Sequence, residues 1–308
     1  MISIVIPTFN SEKNIRKLYL DIKSNLELKK IKFECIFVDD ASKDNTWLEI
    51  KSISNEFQNI SAYRLSKNFG QQNATLLGVR KAKENLIITM DDDFQHPPRE
   101  IIKLLDALDE NTDIVYGVPL DEKRNLFRNV SSIFTKIFFK NLLRLEYARK
   151  INSFRLFRKQ IIENLNEFNS PVVDIDAILS WTTDKVRSVE IENNRRIQGK
   201  TGYNIFNLIN YFFNMLVGIS VAPLRLALFL SLLFLLFGII LFIYVIITFI
   251  TTENIVPGFT FLASLILIFS AVQVFLIGIL GEYISKIFSK SISKPQYMIK
   301  DKISNDQK

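Results

Sequence analysis

The chain has 308 residues, 48% of them hydrophobic with 26 Phe, and a formal net charge of +7. That length holds one α/β domain with an appendage, and the apolar content is too high for a chain whose whole surface meets water. One cysteine (Cys35) and one histidine (His96) exclude internal disulfides and His/Cys metal centres. The basic excess gathers around the apolar runs and the tail, which suits a membrane surface or phosphate groups, and no nucleic-acid reader motif is present.

Short β-branched runs at Ile2 to Ile6, Phe33 to Val38, Ile60 to Leu65, Leu86 to Met90 and Ile114 to Val118 alternate with amphipathic segments of helix length. This pattern predicts an α/β fold with a mostly parallel, Rossmann-like sheet and helices on both faces. The opening MISIVIPTFN lacks a basic n-region and meets Pro7 and Asn10 early, so no signal peptide is expected and the first two thirds are expected in the cytoplasm. Cys35 falls within a strand run and reads as a buried, inert thiol. In sheets of this type ligands bind beyond the C-terminal strand ends, which here carry Pro7-Thr8-Phe9-Asn10, Asp39-Asp40-Ala41-Ser42 and Asp91-Asp92-Asp93.

The third of these loops is the most informative. The string ITMDDDFQHPP (Ile88 to Pro98) runs an apolar strand into three consecutive carboxylates, a costly concentration of charge unless a cation shares it. A metal-bound diphosphate fits such a site. An acidic turn capping the helix that starts near Arg99 is the plainer alternative. His96 has the pKa range of a general base, but its place in the HPP segment favours a structural or capping role.

Beyond about Lys185 the pattern changes. Residues 201–222, rich in Phe, Leu and Ile, read as an interfacial amphipathic helix, with a buried packing helix as the alternative. Leu226 to Ile250 and Phe259 to Leu280 are free of formal charge and long enough to cross a hydrocarbon core of about 30 Å. Pro257-Gly258 breaks the link between them, so 223–282 is expected to be a transmembrane hairpin. Arg195, Arg196, Lys200 and Arg225 precede it, Lys286, Lys290 and Lys294 follow it, and the link has no Lys or Arg. That asymmetry places both termini in the cytoplasm of a multi-pass protein, with 283–308 as a basic cytoplasmic tail attracted to the membrane or disordered.

Four strings carry a family resemblance: IVIPTFN (Ile4 to Asn10), VDDASKDNT (Val38 to Thr46), KNFGQQNA (Lys67 to Ala74) and DDDFQHPP. They resemble family 2 glycosyltransferases with the GT-A fold. With GILGEYISKIF (Gly278 to Phe288) and KPQY (Lys294 to Tyr297), the chain is similar to polyprenyl-phosphate glycosyltransferases with two C-terminal transmembrane helices. The resemblance implies a GT-A catalytic domain over 1–200, in the cytoplasm at the inner (cytoplasmic) membrane.

It further implies that Asp91 and Asp93 form a DxD pair holding Mg2+ or Mn2+, with Asp91 also reaching the ribose, Asp92 in the variable position and Gln95 positioning the site. Asp39 matches the position that contacts the nucleotide base, with Pro7, Asn10 and Glu12 on the opposite loop. On the acceptor side, Arg128 and Ser132, four apart on one helix face with Arg124 a turn earlier, match residues that bind the lipid phosphate; a solvated basic face is the plainer reading of that spacing. RIQGKTGY (Arg196 to Tyr203) resembles an RxxGxSxY motif, which brings Arg196, Lys200 and Tyr203 to the phosphates; Thr201 replaces Ser, and Asn193 stands where relatives often have His.

The implied reaction is inverting transfer of a sugar from a nucleotide-sugar, by analogy a UDP-sugar, to polyprenyl (undecaprenyl) phosphate. The implied partners are those two substrates and the lipid bilayer, with a homo-oligomer also compatible and nucleic acid excluded. A phosphate acceptor is already anionic near neutral pH and needs positioning more than a base. A hydroxyl acceptor, such as a glycolipid or surface glycan, is the alternative; Asp174 or Asp176 would then serve as base, and both read equally well as helix caps. A processive synthase is disfavoured because no QxxRW motif is present and two spans are few for a polymer channel. The remaining reading is a catalytically silent nucleotide-sugar binder, which intact Asp91, Asp93 and Gln95 argue against.

Overall fold

The computed structural model describes residues 1–119, 152–162, 173–192, 194, 222–251, 258–291 and 295–303. It divides into two compact units, Met1–Gly202 with Pro295–Lys308, and Tyr203–Lys294.

The first unit is built on an eight-stranded sheet. Its elements are β1 (Ile2–Thr8), α1 (Ile15–Leu28), β2 (Phe33–Asp39), α2 (Thr46–Glu56), β3 (Ile60–Leu65), α3 (Gln71–Lys81), β4 (Leu86–Thr89), a 3-10 turn at Pro98–Glu100, α4 (Ile101–Asp106), β5 (Ile114–Pro119), β6 (Arg155–Arg158), α5 (Ile175–Thr182) and β7 (Val186–Ile191). The second unit contributes α6 (Ala222–Thr251) and α7 (Phe259–Ser291), after which β8 (Ile299–Ile303) rejoins the sheet. The order is β7-β5-β6-β4-β1-β2-β3-β8. Four pairings are parallel and three antiparallel, the latter wherever β6 or β8 takes part.

Why these segments form strands follows from burial on both faces. Every residue of β1 and β2 is buried, and alternate residues point to opposite sides. Ile2, Ile4 and Ile6 join Phe33, Cys35 and Phe37 in a core covered by Ile15, Leu18, Ile22 and Leu26 of α1, Ile50 and Ile53 of α2, and Ile101 and Leu104 at α4. Val5, Ile36 and Val38 form the other core with Ala74, Leu77 and Val79 of α3 and Ile175, Ile178 and Leu179 of α5. Gly78 of α3 lies directly on β1, where an added Cβ would overlap Val5 Cγ1. Burial raises the pKa of the Cys35 thiol well above its ordinary value, in keeping with an inert core residue.

All five expected strands are present. The sequence patterns did not reveal β6, which inserts antiparallel between β4 and β5, or β8, which was expected to be part of a disordered or membrane-attracted tail. Instead the tail pairs with β3. Arg80 Nη1 donates to Gln296 Oε1 at 2.8 Å and to the Tyr297 hydroxyl at 3.2 Å, and its guanidinium lies 5.7 Å from the Tyr297 ring centre.

In the second unit α6 has 30 residues and α7 has 33, roughly 45 and 50 Å at ~1.5 Å per residue. Among the described residues, Ile268–Ser285 is long and apolar enough to cross a membrane, with a mean hydropathy of 1.7 and none of it buried; Ala227–Ile240 is a shorter apolar stretch. Leu228, Ile240, Val274 and Ile277 are exposed, a surface suited to lipid rather than water. The amphipathic segment expected before α6 lies outside the described residues.

Candidate active site

The three polar loops do converge, at the C-terminal ends of β1, β2 and β4. Each contains one non-glycine residue in the left-handed region, Asn10 (φ 54°), Ala41 (φ 57°) and Phe94 (φ 60°). Such conformations cost free energy and persist where surrounding contacts impose them. The contacts are visible: Asn10 N–H donates to Ser42 Oγ at 2.9 Å, Asn10 Oδ1 accepts from Lys43 N–H at 2.9 Å, and Glu12 Oε2 accepts from Asn45 N–H at 3.0 Å. Asn10 and Glu12, expected at the nucleotide, thus lace the β1 loop to the β2 loop.

Two neighbouring depressions open among these loops. An outer cleft of about 270 Å³ is lined by Pro7, Phe9, Asp40, Asn68, Gly70, Gln71 and Asp91 to Asp93. An inner cavity of about 150 Å³ shares Pro7, Gln71 and Asp91 with it and adds Gln72, Asn152, Ser153, Arg155 and Asp176, among others.

The three consecutive aspartates point to different tasks. Asp91 lines both depressions; its Oδ1 accepts from Gln71 Nε2 and its Oδ2 from the Ser153 hydroxyl, each at 2.6 Å. Asp93 lines the outer cleft and is held by Gln95, through the backbone N–H at 3.0 Å and Nε2 at 2.8 Å. Gln95 itself is not a lining residue of either space, so it positions Asp93. Asp92 Oδ2 accepts from the Ser11 hydroxyl at 2.5 Å and from Phe9 N–H at 3.3 Å, tying the β4 loop to the β1 loop. Burial, with the neighbouring Asp91 and Asp93 charges adding, pushes Asp92 up to about 7 against the Ser11 and Phe9 hydrogen bonds.

Asp39 and Asp40 divide similarly. Asp39 is fully buried under the cleft, accepts from Ser42 N–H at 3.1 Å and faces Arg64 Nε at 3.2 Å, too far out of line for a hydrogen bond to its Oδ2. Asp40 lines the cleft instead, and its two oxygens accept from Phe69 N–H at 2.7 Å and Gly70 N–H at 2.8 Å. Those bonds fix the turn into α3, where Gly70 has φ 90°, a region that favours glycine. Burial raises the pKa of both carboxyls, against the hydrogen bonds they accept.

His96 is buried and stacked on Phe154, with ring centres 5.2 Å apart, and its Nδ1 has no hydrogen-bond partner among the described residues. Burial lowers its pKa, which agrees with the structural role expected of it. Asp174 is the N-cap of α5, accepting from Ala177 N–H at 2.9 Å. Asp176 is different: it lines the inner cavity, accepts from the Tyr116 hydroxyl at 3.0 Å and forms an ion pair with buried Arg155. Arg124, Arg128, Ser132, Arg196, Lys200 and Tyr203 lie outside the described residues.

Hard oxygen donors suit Mg2+ or Mn2+, and Asp91 and Asp93 supply two carboxylates on one cleft wall, so the residues present fit such an ion completed by phosphate oxygens and water. Among the described residues no group of three or more His, Cys, Asp or Glu could hold a metal without such outside ligands. Residues the sequence patterns did not single out are Asp40, Gln71, Gln72, Ser153, Arg155 and Tyr116. Asp40, Gln71 and Gln72 stood within strings quoted above, whereas the NSFR segment bearing Ser153 and Arg155 offered no periodic signal.

Comparison with known proteins supports the same placement. The chain is 29% identical over 301 residues to the prophage bactoprenol glucosyl transferase homolog of Escherichia coli (strain K12), covering 97% of this chain and 98% of that one. It is 28% identical to the undecaprenyl-phosphate 4-deoxy-4-formamido-L-arabinose transferase of Shewanella sediminis, covering 97% and 92%. Among solved structures, mannosyl-3-phosphoglycerate synthase from Rubrobacter xylanophilus matches with TM-score 0.53 at 15% identity, covering 73% of this chain and 74% of that one. A mannosyltransferase from Pyrobaculum calidifontis, in complex with GDP-Man and Mn2+, matches with TM-score 0.50 at 18% identity, covering 73% and 64%; at these identities both speak for the GT-A fold alone. The profile of a GtrB C-terminal hairpin matches residues 222–287, which span α6 and most of α7. The glycosyl transferase family 2 profile matches residues 3–165, more than half of the sequence, and the chain belongs to that family.

Proposed function

We propose that this glycosyltransferase moves a sugar from a nucleotide-sugar, taken first as a UDP-sugar, to polyprenyl phosphate at the cytoplasmic face of the inner membrane, with inversion at the anomeric carbon. The observation that carries the reading is the placement of Asp91 and Asp93 at the end of β4, lining one cleft with Pro7 and Asp40 on a family 2 scaffold. The names of the relatives, bactoprenol glucosyl transferase and undecaprenyl-phosphate transferase, support the acceptor class.

In this reading Asp91 and Asp93 hold Mg2+ or Mn2+ against the diphosphate. A cation bound there supplies Lewis-acid stabilisation of the departing nucleoside diphosphate. Gln71 and Ser153 keep Asp91 oriented, and Gln95 does so for Asp93. Asp40 holds the turn at Phe69-Gly70 that forms the outer wall, while Asp39 shapes the base end from beneath through Arg64 and Ser42. Arg124, Arg128, Ser132, Arg196, Lys200 and Tyr203 are assigned to the acceptor phosphate on the family resemblance. The acceptor oxygen is already anionic, so positioning and charge neutralisation carry that half-reaction. The hairpin of α6 and α7 crosses the bilayer twice with both termini cytoplasmic, which brings the domain to its lipid substrate.

A hydroxyl acceptor would require a base. Asp174 is engaged as a helix cap, and Asp176 is paired with Arg155 and Tyr116, which favours the phosphate acceptor. The test is to incubate detergent-purified protein with undecaprenyl phosphate, Mg2+ or Mn2+ and a panel of UDP-, GDP- and dTDP-sugars, and to look for a glycosyl-phosphoryl lipid by mass spectrometry. Formation of that lipid is expected, with Arg128→Ala impairing chiefly acceptor use. Donor consumption only with a diacylglycerol or glycan hydroxyl would overturn the acceptor assignment, and no turnover with any donor would overturn the enzyme reading.

A further inference from the structure

The outer cleft and the inner cavity meet at Pro7, Gln71 and Asp91. If the diphosphate sits at Asp91, as proposed above, the nucleoside takes one side of that junction and the transferred sugar the other. The inner cavity, at about 150 Å³, is much smaller than the outer cleft at about 270 Å³. The smaller space suits one sugar ring rather than a nucleoside.

The walls of this cavity are built for hydroxyl groups. Arg155 is 2% exposed and donates from Nε to Thr89 Oγ1 at 3.1 Å, while its Nη1 is bonded to Asp176 Oδ1. Thr89 in turn donates to the Ser153 carbonyl at 2.6 Å, so the arginine is fixed at both ends. The Tyr116 hydroxyl donates to the same Asp176 Oδ1 at 3.0 Å. Both bonds reach one oxygen of a side chain that is 14% exposed and lines the cavity, which leaves Oδ2, among the described residues, as a remaining acceptor. On the neighbouring wall, Gln72 Oε1 accepts from Ile175 N–H at 3.1 Å. That bond assigns the amide orientation and leaves Nε2 as a donor. A charged pair withdrawn from water is costly unless its remaining valences are used. A polyhydroxyl ligand would use them.

We propose that Asp176 and Gln72 read hydroxyl groups of the transferred sugar, with Arg155 and Tyr116 as the rigid support of Asp176, and that this pair sets donor selectivity. Asp176 then acts as a hydrogen-bond acceptor for the donor sugar and takes no proton from the acceptor. The inference rests on the nucleotide-sugar reading of the outer cleft.

The experiment compares wild type, Gln72→Ala and Asp176→Asn in the full chain. Binding of free UDP with Mn2+ and kcat/KM for UDP-glucose, UDP-galactose and UDP-N-acetylglucosamine are measured for each. A site that hydrogen-bonds a substrate hydroxyl discriminates strongly against analogues that lack it. The expected result is UDP affinity within about twofold of wild type, with kcat/KM for the preferred donor falling on the order of a hundredfold and that for poorer donors falling much less, so that selectivity collapses. Equal losses for all three donors, or selectivity unchanged in Gln72→Ala, would overturn the proposal. So would loss in Asp176→Asn of an activity limb that rises with pH, the signature of a base. If removing the partner of Arg155 prevents Asp176→Asn from folding, Gln72→Ala decides alone, because Gln72 carries no charge pair. Failure of the wild type itself to bind UDP or turn over any donor would refute the nucleotide-sugar reading instead, so the two failures are distinguishable.

Discussion

Replacing Asp40 by Asn tests whether the outer wall of the cleft is held by a two-oxygen clamp. The carboxylate uses Oδ1 for Phe69 N–H and Oδ2 for Gly70 N–H, at 2.7 and 2.8 Å. Asn has one acceptor oxygen, so one bond is lost and an amide NH2 is turned toward a backbone N–H. A hydrogen bond to a charged group contributes about 1.5–3 kcal/mol. Against that, the ionised carboxylate is buried beside Asp39, and burial raises its pKa, so removing the charge relieves part of a desolvation cost. The net loss is expected near the lower end, about 1.5–2 kcal/mol, which corresponds to roughly a ten- to thirtyfold increase in local opening at 1.4 kcal/mol per factor of ten. Hydrogen exchange followed by mass spectrometry on the full chain in detergent reads this directly, in peptides covering Ser66 to Ala74. The expected pattern is faster exchange there with α1 unchanged. Exchange at Phe69 and Gly70 equal to wild type would refute the clamp, and uniform acceleration across the domain would show that Asp40 supports the fold rather than the loop.

Three further outcomes follow from the same geometry. Asp93→Asn should abolish metal-dependent turnover while leaving membrane insertion intact, measured by the glycolipid assay, and full activity would remove the metal assignment. Gly78→Ala should destabilise the domain by about 1–3 kcal/mol, because its Cβ would overlap Val5 in a close-packed layer; an unshifted thermal midpoint would contradict that packing. Asp92 has a folded pKa of about 7 against roughly 3.9 unfolded, so the folded state binds the extra proton and stability falls as pH rises from about 4 to 7. Asp92→Asn, whose single oxygen can accept both bonds made to Oδ2, should therefore flatten the dependence of the metal-free thermal midpoint on pH, and an unchanged profile would refute the raised pKa.

Much of the fold was legible because β1 to β5 are buried on both faces and so read as continuous apolar runs. β6 and β8 were not, because their pairing is decided by distant partners. β6 has four residues, Arg155 to Arg158, with charge at both ends, and becomes a strand only because β4 and β5 flank it. β8, IKDKI, sets three consecutive charges between two Ile, as suits an edge strand, but it follows two long apolar helices and reads locally as a basic tail. At the site, the DDD cluster declared itself through charge density. Arg155 did not, since an arginine in an apolar strand looks ordinary until tertiary contact joins it to Asp176, which the sequence offered only as a base or a helix cap. Asp39 drew attention over Asp40 through the family resemblance, yet Asp40 is the one that lines the cleft.

The distribution of charge explains why these loops carry so many carboxylates in a basic chain. Asp39 and Asp40 are buried and Asp92 is half-buried, and in each case desolvation raises the pKa. Each holds a segment that no apolar side chain could hold: Asp39 the Ser42 turn, Asp40 the turn into α3, Asp92 the β1 loop. Their acceptor oxygens satisfy backbone N–H groups and a hydroxyl where the backbone has left regular pairing, including beside left-handed Ala41 and Asn10. Asp91 and Asp93 share the cleft wall with Asp40 and Asp92, whose carboxylates hold the loops. The supporting aspartates keep the local potential negative, which favours a divalent cation over a bare diphosphate. On the function proposed above, cation and nucleotide would bind together, since the diphosphate alone would meet an acidic cleft and the cation alone would find few protein carboxylates. On that reading nucleotide affinity should depend steeply on divalent cation concentration.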